Sequence, residues 1–451
     1  MNRILILLLS SFILLPSAFP QGPLAPPGAP APMMKTLQQV EPRTAITSAP
    51  YTISAAGSYY LTTNISVSSG SAITISASEV TLDLDGFAIT GTGTATTGIN
   101  IGGSPQDITI FNGHINGGYI YSGGIYTGSG FANGITYNGV GNVRVIGVTV
   151  SGCQSYGIGL GSGNSTVVES CTVNTAGSYG IEAGSVSHST AYQCGNTAIT
   201  AFNTASDCYG NCTASGDGLL ANNANNCIGV SASGTGLYAN YAATGCTGVS
   251  SNGVGLNAST ADNCYGVSSS GFSTALNAGN ANNCYGVSSD GGYGLRANYT
   301  ATGCTGVSSN FIGLSAFNAT CCFGRSSTSY YGLSAGNAIN CYGESSNNFG
   351  LVASFAAINC VGSSSSTDGL HANFTAENCV GYSSTGTGLY AYIAQNCSGN
   401  STGGYGIYVS QIAIGCYGSS STGTGLYAPI ANSCAGSGTP NYTVANKYNM
   451  P

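Results

Sequence analysis

The sequence predicts an all-β fold: a single-stranded right-handed parallel β-helix, a solenoid with coils of about 18–20 residues and longer coils N-terminally. Three observations predict it. One cysteine recurs about every nineteen residues, a Gly-Leu-x-Ala motif keeps the same spacing, and the 451-residue chain contains 70 glycines but only 5% charged residues. Right-handed winding follows from the general preference of parallel crossover connections.

The composition excludes several classes of protein. Charged residues make up 5% of the chain, compared with roughly 25% in ordinary globular domains. Seven Lys and Arg residues are too few for a nucleic-acid binder, which neutralises phosphates with clustered basic side chains. The shortage of Lys, Glu, Arg and Gln disfavours a helical protein, and a hydrophobic content of 42% disfavours disorder.

The repeat defines the coils of the C-terminal part. In Gly-Leu-x-Ala the Leu and Ala are two residues apart, so both point to one side of a strand, while the residue between them varies freely. A unit of about nineteen residues cannot bury its inner face alone, so identical units must stack. The repeating cysteines are Cys208, Cys227, Cys246, Cys264, Cys284, Cys304, Cys322, Cys341, Cys360, Cys379, Cys397, Cys416 and Cys434.

The N-terminal part shows the same pattern with longer coils. Val80 to Ile89 alternates apolar and polar residues, and Gly98-Ile99 and Gly134-Ile135 are earlier versions of the Gly-Leu motif. We therefore predict a β-helix with longer coils at 49–200, regular Cys-containing coils at 201–440 and a C-terminal tail at 441–451. A left-handed hexapeptide helix is the alternative, but the Leu-to-Val spacing switches between 11 and 12 residues.

The first residues are typical of a secretory signal peptide. Arg3 precedes the apolar run Ile4–Leu15, and Pro16-Ser17-Ala18 follows, so residues 1–20 are predicted to be removed. Residues 21–48 form a Pro-rich linker, in which Met33–Val40 is either a short helix capping the first coil or a tether. We expect a secreted, extracellular or cell-surface protein without a membrane span, and a periplasmic location also fits.

A resemblance to known proteins supports this fold. The segments YYLTTNISVSSGSAITISASEVTLDLDGFAIT and ITIFNGHINGG are similar to secreted bacterial right-handed parallel β-helix repeat proteins of the pectate-lyase-like superfamily. The resemblance covers roughly Ala49 to Asn441. It implies the fold but no single activity, because that superfamily includes lyases, hydrolases and adhesins.

The cysteines are predicted to form a column of buried thiols. Stacked neighbours lie about 4.8 Å apart with parallel Cα–Cβ vectors, which does not suit disulfide geometry. Disulfides between some coils remain the alternative, with Cys208–Cys212 and Cys321–Cys322 as candidate exceptions. The spacing matches no metal site, so we predict neither a metal nor a cofactor.

Catalytic groups are scarce in the sequence. Asp83 and Asp85 are two apart and could share one side of a strand, although Asp85 before Gly86 is also typical of a turn. The paired Asp, Gly-His-Gly and Arg-x-Lys pattern of pectin hydrolases is missing. A polysaccharide lyase or glycoside hydrolase acting on an acidic polysaccharide therefore remains an alternative, and a protein without enzymatic activity is favoured.

The residue after each column cysteine should point outward, and this row forms an uncharged, largely apolar stripe. A second row after Gly-Leu contains Tyr238, Tyr390, Tyr408 and Tyr427. Aromatic faces suit sugar stacking and protein association, although stacked rings also stabilise a sheet. We predict a structural or adhesive role with polysaccharide or cell-surface glycan as partner; self-association, a surface fibre and ice binding are alternatives. The aromatic members of the first stripe are Tyr209, Tyr265, Tyr285, Phe323, Tyr342 and Tyr417.

Overall fold

The computed structural model describes residues 41–450. The predicted signal peptide and residues 21–40 of the predicted linker lie outside these residues. The chain divides into two units, Met1–Arg43 and Thr44–Pro451. In the described end of the first unit, Arg43 Nε lies 2.7 Å from Glu41 Oε1.

The second unit is a parallel β-solenoid of about 21 turns, and the described residues contain no helix. Forty-one strands belong to one continuous sheet. In the regular part each strand pairs in parallel with the strand two places later in the chain, so Leu219 lies beside Leu237 and Gly229 beside Gly248. The predicted all-β parallel solenoid is confirmed.

The N-terminal turns are built from strands of unequal length. Within them, the short antiparallel hairpin β8–β9 stands outside the main sheet. The strands are β1 (Thr44–Ile46), β2 (Tyr51–Ile53), β3 (Gly57–Leu61), β4 (Ile65–Ile75), β5 (Val80–Asp83), β6 (Ala88–Ile101), β7 (Ile108–Asn116), β8 (Tyr119–Ser122), β9 (Ile125–Gly128), β10 (Asn133–Tyr137), β11 (Val143–Cys153), β12 (Ile158–Gly159), β13 (Thr166–Glu169), β14 (Thr172–Ala176), β15 (Ile181–Ser187) and β16 (Thr190–Cys194).

The later turns alternate a long strand with a short one. The long strands are β17 (Ile199–Ser206), β19 (Leu219–Asn225), β21 (Leu237–Thr244), β23 (Leu256–Asp262), β25 (Leu276–Asn282), β27 (Leu295–Thr302), β29 (Leu314–Thr320), β31 (Leu333–Ile339), β33 (Leu351–Ile358), β35 (Leu370–Glu377), β37 (Leu389–Gln395), β39 (Ile407–Ile414), β41 (Leu426–Asn432) and β43 (Tyr442–Tyr448). The short strands are β18 (Tyr209–Cys212), β20 (Ile228–Ser231), β22 (Thr247–Ser250), β24 (Tyr265–Ser268), β26 (Tyr285–Ser288), β28 (Thr305–Ser308), β30 (Phe323–Ser326), β32 (Tyr342–Ser345), β34 (Val361–Ser364), β36 (Val380–Ser383), β38 (Ser398–Ser401), β40 (Tyr417–Ser420) and β42 (Ala435–Ser437).

The residue before each column cysteine forms a corner; it is Asn or Gly in ten turns and Asp207, Cys321 or Ser433 in the other three. Asn263 has φ 53° and Gly245 has φ 62°, which is the left-handed region that Asn and Gly tolerate best. One such residue ends the long strand and turns the chain into the short strand. The Asn-Cys and Gly-Cys dipeptides are therefore corner signals as well as core signals.

Small residues fill the narrow interior of the regular turns. Leu256, Ala258, Ala261 and Cys264 are all buried in one turn, and their equivalents are buried in the next. A Cβ at Gly266 would lie 2.3 Å from the carbonyl oxygen of Ala275. The two walls of the solenoid approach so closely that only glycine fits there.

Equivalent buried serines of successive turns also belong to this core, and we call such a row of equivalent side chains a file. Ser250 Oγ donates a hydrogen bond to the Gly234 carbonyl of the preceding turn at 2.7 Å and accepts one from the Gly253 amide at 2.7 Å. The same arrangement recurs at Ser401, which bonds Gly386 and Gly404. In these two turns the buried serine therefore satisfies two backbone groups at the corner, since buried polar groups need partners.

All eighteen cysteines are free thiols, and Cys321 is the only exposed one among them. Cys264 Sγ donates to the carbonyls of Ala243 and Asp262 at 3.2 and 3.3 Å. Burial raises the pKa of the Cys153 thiol to about 12, so it stays protonated and unreactive at neutral pH. The candidate pairs Cys208–Cys212 and Cys321–Cys322 are not bonded in this structure.

The solenoid extends further than the sequence predicts at both ends. Strand β1 begins at Thr44, five residues before the predicted boundary at 49. Residues 442–448, assigned to a tail, form β43, in which Tyr442 pairs with Leu426. This last strand lacks both the Gly-Leu-x-Ala motif and a cysteine, so the repeat pattern cannot reveal it.

Candidate binding face

The predicted stripe lies at the first position of the short strands, and its side chains point outward. Four of its six aromatic residues form two stacked pairs. The rings of Tyr265 and Tyr285 are 5.4 Å apart at 7°, and those of Phe323 and Tyr342 are 5.4 Å apart at 4°. Non-aromatic residues separate these pairs, because the same file contains Thr305 between them.

Tyr209 and Tyr417 are the remaining aromatic members of the stripe. Tyr209 pairs with Ile228, whereas Tyr417 lies between Ser398 and Ala435. Neither has an aromatic neighbour in its file. The stripe is therefore a set of separate patches, which limits it as a surface for a long ligand.

The second outward row forms the longest aromatic stack. We call His371, Tyr390, Tyr408 and Tyr427 the aromatic ladder; their successive ring centroids are 4.3, 5.5 and 4.6 Å apart. All three contacts are nearly parallel, with interplanar angles of 7°, 8° and 11°. Such stacking stabilises adjacent parallel strands, and it covers much of each ring face.

Hydrogen bonds hold the first ring of the ladder in place. His371 Nδ1 lies 2.8 Å from Asp368 Oδ2, and its Nε2 lies 3.1 Å from Asn373 Oδ1. Asp368 also accepts a hydrogen bond from the Thr387 amide at 3.1 Å. These hydrogen bonds therefore orient the imidazole for stacking. Asp368 and Asn373 are already engaged with neighbouring groups of the protein.

A third set of aromatic residues was missed by sequence reasoning. These corner aromatics lie where the long strand bends, and several occupy the extra residue of a β-bulge, such as Tyr241 between Ala239 and Ala242. For those at a bulge, the signal is the extra residue of an eight-residue long strand such as β21, compared with a seven-residue strand such as β23. The corner aromatics are Tyr241, Tyr299, Phe317, Phe355, Phe374 and Tyr392, each more than 40% exposed.

Two shallow cavities lie between the corner aromatics. One, of about 430 Å³, is lined by Asn257, Asn277, Asn298 and Tyr299. Asn277 Nδ2 donates to Asn257 Oδ1 at 2.8 Å. The other side of each of these two carboxamides has no hydrogen-bond partner within residues 41–450, so donors and acceptors face the opening beside an exposed ring.

The second shallow cavity repeats this arrangement further along. It measures about 440 Å³ and is lined by Arg296, Ser315, Phe317 and Phe355. The rings of Phe317 and Phe355 are 6.2 Å apart and flank the small residue Gly336. Together the two openings form a groove along the outer face of the long strands, bounded by exposed aromatic side chains.

A third cavity lies on the same face among the longer N-terminal turns. It measures about 360 Å³ and is lined by Asn100, Asn133, Thr136, Tyr156 and Glu182, among others. The register connects Asn100 to Thr136 and Gly159 to Glu182, and continues into the file that contains the aromatic ladder. We call this surface, from β6 through the long strands to β41, the groove face.

Basic residues are dispersed in the described chain. Arg144 lies 3.3 Å from Glu169, and Arg325 lies 4.0 Å from Glu344. Arg296 and Lys447 lie over the rings of Tyr293 and Tyr442 at 5.6 and 4.2 Å. Of these cations, Arg296 alone lines one of the three cavities, so the groove face offers no cluster of positive charge for an acidic polymer.

The predicted acidic pair occupies a turn. Asp83 is buried, and its Oδ1 accepts hydrogen bonds from the Asp85 amide at 2.8 Å and from Asn112 Nδ2 at 3.3 Å. Asp85 has φ 49°, so it leaves the strand and does not share a side with Asp83. The turn interpretation of Asp85 agrees with this geometry.

No three His, Cys, Asp or Glu side chains converge on a potential metal site within the described residues. The same part of the chain has no helix with the length and apolar character to cross a membrane.

Comparison with protein-family models, curated proteins and solved structures finds no match to this chain. The fold and its outer surface define the class: a parallel β-solenoid with a groove of carboxamide and aromatic side chains.

Proposed function

We propose that the protein is a secreted or cell-surface β-solenoid with a structural or adhesive role, which binds a polysaccharide or cell-surface glycan along its groove face. Secretion is inferred from the N-terminal apolar run, and kinship with pectate-lyase-like β-helix proteins of bacteria from the segments quoted above. One observation carries the binding proposal: carboxamides with unused hydrogen-bonding groups lie beside the exposed ring of Tyr299.

This chemistry suits a carbohydrate. A sugar presents hydroxyl groups around its edge and an apolar face, so it needs donors, acceptors and an accessible aromatic face. Asn257 and Asn277 supply the first two, and Tyr299, 65% exposed, supplies the third. Tyr241 lies three turns away, roughly 14 Å at 4.8 Å per turn, so a chain of several sugars would span both rings.

Binding is favoured over catalysis by the composition of the cavities. Glycoside hydrolysis generally uses two carboxyl groups on opposite sides of the bond. Among the residues lining the three cavities, Glu182 is the single carboxylate. The turn role of Asp83 and the scattered cations likewise give no support to the alternative of a lyase or hydrolase for acidic polysaccharides.

The test is a glycan array followed by affinity measurement with the ligands found. Tyr299→Ala and Asn257→Ala should each weaken binding about tenfold, because stacking and buried hydrogen bonds are each worth on the order of 1–1.5 kcal/mol. Tyr192→Ala is the matched control, since Tyr192 is also exposed but lies in β16, outside the groove face. Tyr285→Ala tests the predicted stripe separately.

Two outcomes contradict the proposal. The first is an array with no glycan bound by correctly folded protein. The second is binding that the groove variants leave unchanged.

Self-association is a second candidate, favoured by the last strand. Within the described residues β43 pairs with β41 on one side alone, and an open strand edge is a template for another chain. Light scattering of the purified protein tests it. A monomer at all concentrations contradicts it, and a dimer that Val444→Pro converts to monomer supports it.

A further inference from the structure

The N-terminal cavity differs from the two shallow ones because a carboxylate lines it. In the outward file, Thr136 pairs with Gly159, and Gly159 with Glu182. Gly159 has no side chain, and the ring of Tyr156 lies over it, so that an aromatic ring stands beside Glu182 in that file. The turns of unequal length thus place a carboxylate beside two carboxamides in one cavity, whereas the lining of the two cavities in the regular turns contains no carboxylate.

Two carboxamides in this cavity keep their donors available. Asn100 Oδ1 accepts a hydrogen bond from Thr136 Oγ1 at 3.2 Å, and Asn133 Oδ1 accepts one from the Tyr156 amide at 3.3 Å. These bonds fix the orientation of each carboxamide. The Nδ2 groups of Asn100 and Asn133 have no acceptor within residues 41–450, so both are free to bind hydroxyl oxygens.

Glu182 is half-buried, and its carboxylate makes no hydrogen bond or ion pair with any described residue. Burial raises the pKa of this carboxyl above its ordinary value, since the charged form loses hydration without gaining a partner. A ligand cation would restore the missing interaction. A carboxylate-bearing ligand would instead add repulsion between like charges.

The walls of the cavity are rigid. Tyr156 stacks on Tyr179 with ring centroids 5.2 Å apart at 14°. The buried hydroxyl of Tyr137 donates to the Pro105 carbonyl at 3.0 Å and accepts from the Gly141 amide at 2.7 Å. The lining is therefore preorganised, which reduces the entropic cost of binding.

We propose that this cavity is a subsite for a sugar unit bearing a protonated amine, with Glu182 as its counter-ion and Asn100 and Asn133 as ligands of its hydroxyl groups. The inference rests on the proposed glycan binding and adds a ligand class to it. An amino sugar supplies all three requirements: a cation, hydroxyl oxygens and a ring that fits beside Tyr156. A uronate fails the first requirement, and an N-acetylated sugar offers no charge.

The experiment compares a glucosamine trimer with an N-acetylglucosamine trimer by isothermal titration calorimetry at low and high salt. The wild-type protein should bind the glucosamine trimer at least about tenfold more tightly, because charge-assisted hydrogen bonds are worth roughly twice neutral ones. The preference should shrink at high salt. In Glu182→Gln the two affinities should become similar.

Glu377→Gln is the matched control. Glu377 lies in β35, lines none of the three cavities, and its substitution changes the net charge by the same amount. It should keep the preference of the wild type. Asn100→Ala should weaken both trimers to a similar extent, and circular dichroism should show that every variant is folded.

Equal affinity for the two trimers would overturn the proposal of an amino-sugar subsite. A preference for the glucosamine trimer that persists in Glu182→Gln would do the same. So does the absence of any binding to the glucosamine trimer. The proposed function fails separately: array glycans whose binding depends on Tyr299 would uphold it even if the amine preference is absent.

Discussion

The longer N-terminal turns and the regular C-terminal turns share one register but differ in how their interiors are filled. Ile73, Ile99, Ile135 and Ile158 lie side by side although 26, 36 and 23 residues separate them. Phe131 is fully buried in this part. In the regular part the spacing is 18–20 residues, and Leu, Ala, Cys and Ser fill the core.

The comparison shows that coil length sets the kind of surface the solenoid presents. Short, equal turns repeat each outward position at a constant interval, so they give long files and a shallow groove. Unequal turns interrupt the repeat of the outward positions, and at one interruption Glu182 lies beside Gly159 and the ring of Tyr156. The same fold thus offers a repetitive surface in one part and a single pocket in the other.

The largest expected loss of stability follows from placing a charge in the core of the regular turns. Leu314→Asp places an unpartnered carboxylate at a fully buried position, which should cost at least about 4 kcal/mol and unfold several turns. Ser315→Asp is the control, because Ser315 is the next residue and faces outward. Urea denaturation followed by circular dichroism measures both; equal midpoints would contradict the register.

A smaller effect is expected at the polar corners, and it should be similar in the two parts. Ser250→Ala should cost about 1–3 kcal/mol, since it leaves the Gly234 carbonyl and the Gly253 amide without their partner. Thr166→Val in the N-terminal part should cost a similar amount, because Thr166 Oγ1 donates to Gly163 and accepts from Gly184. Denaturation midpoints check both. A neutral result at Ser250, matching the exposed control Ser251→Ala, would show that this bond contributes nothing.

The aromatic ladder has no equivalent stack of this length in the described N-terminal turns, and its loss should be milder. Tyr408→Ala removes stacking contacts with Tyr390 and Tyr427, so it should cost about 1 kcal/mol. Glycan affinity should stay unchanged, because the ring faces are already covered. A thermal melt and the array ligands test the two statements, and a large loss of affinity would assign binding to the ladder.

The smallest expected effect is a pH-dependent change in stability caused by Glu182 in the N-terminal cavity. The pKa of the Glu182 carboxyl is higher in the folded protein than in the unfolded chain, where it is near 4.5. The protein is therefore most stable with respect to this group below pH 4.5, and its free energy of unfolding falls as the pH rises through the folded pKa. Glu182→Gln should therefore melt slightly higher than the wild type at pH 7, and the difference should disappear at pH 4. A variant less stable than the wild type at pH 7 would mean that the carboxylate has a partner.

The sequence predicts which equivalent side chains stack in successive turns, but it does not predict the cavities on the outer surface. Alternation around Leu256 and Cys264 places both in the core, because a strand has a strict period of two. The burial of Ser250 depends on the Gly234 carbonyl group of the preceding turn, which its own local sequence does not specify. Tyr299 was missed because a bulge adds one residue and shifts its direction. The Glu182 cavity joins four turns of unequal length, which local patterns do not specify.

Titration of the thiols tests the central claim, that equivalent side chains lie in straight files within the solenoid. The native protein should react rapidly at Cys321 alone, and the protein unfolded without reductant should show all eighteen thiols. Almost no free thiols after unfolding would mean that the column is bridged by disulfides, and many reactive thiols in the native protein would mean that it faces water. Either result would contradict the account.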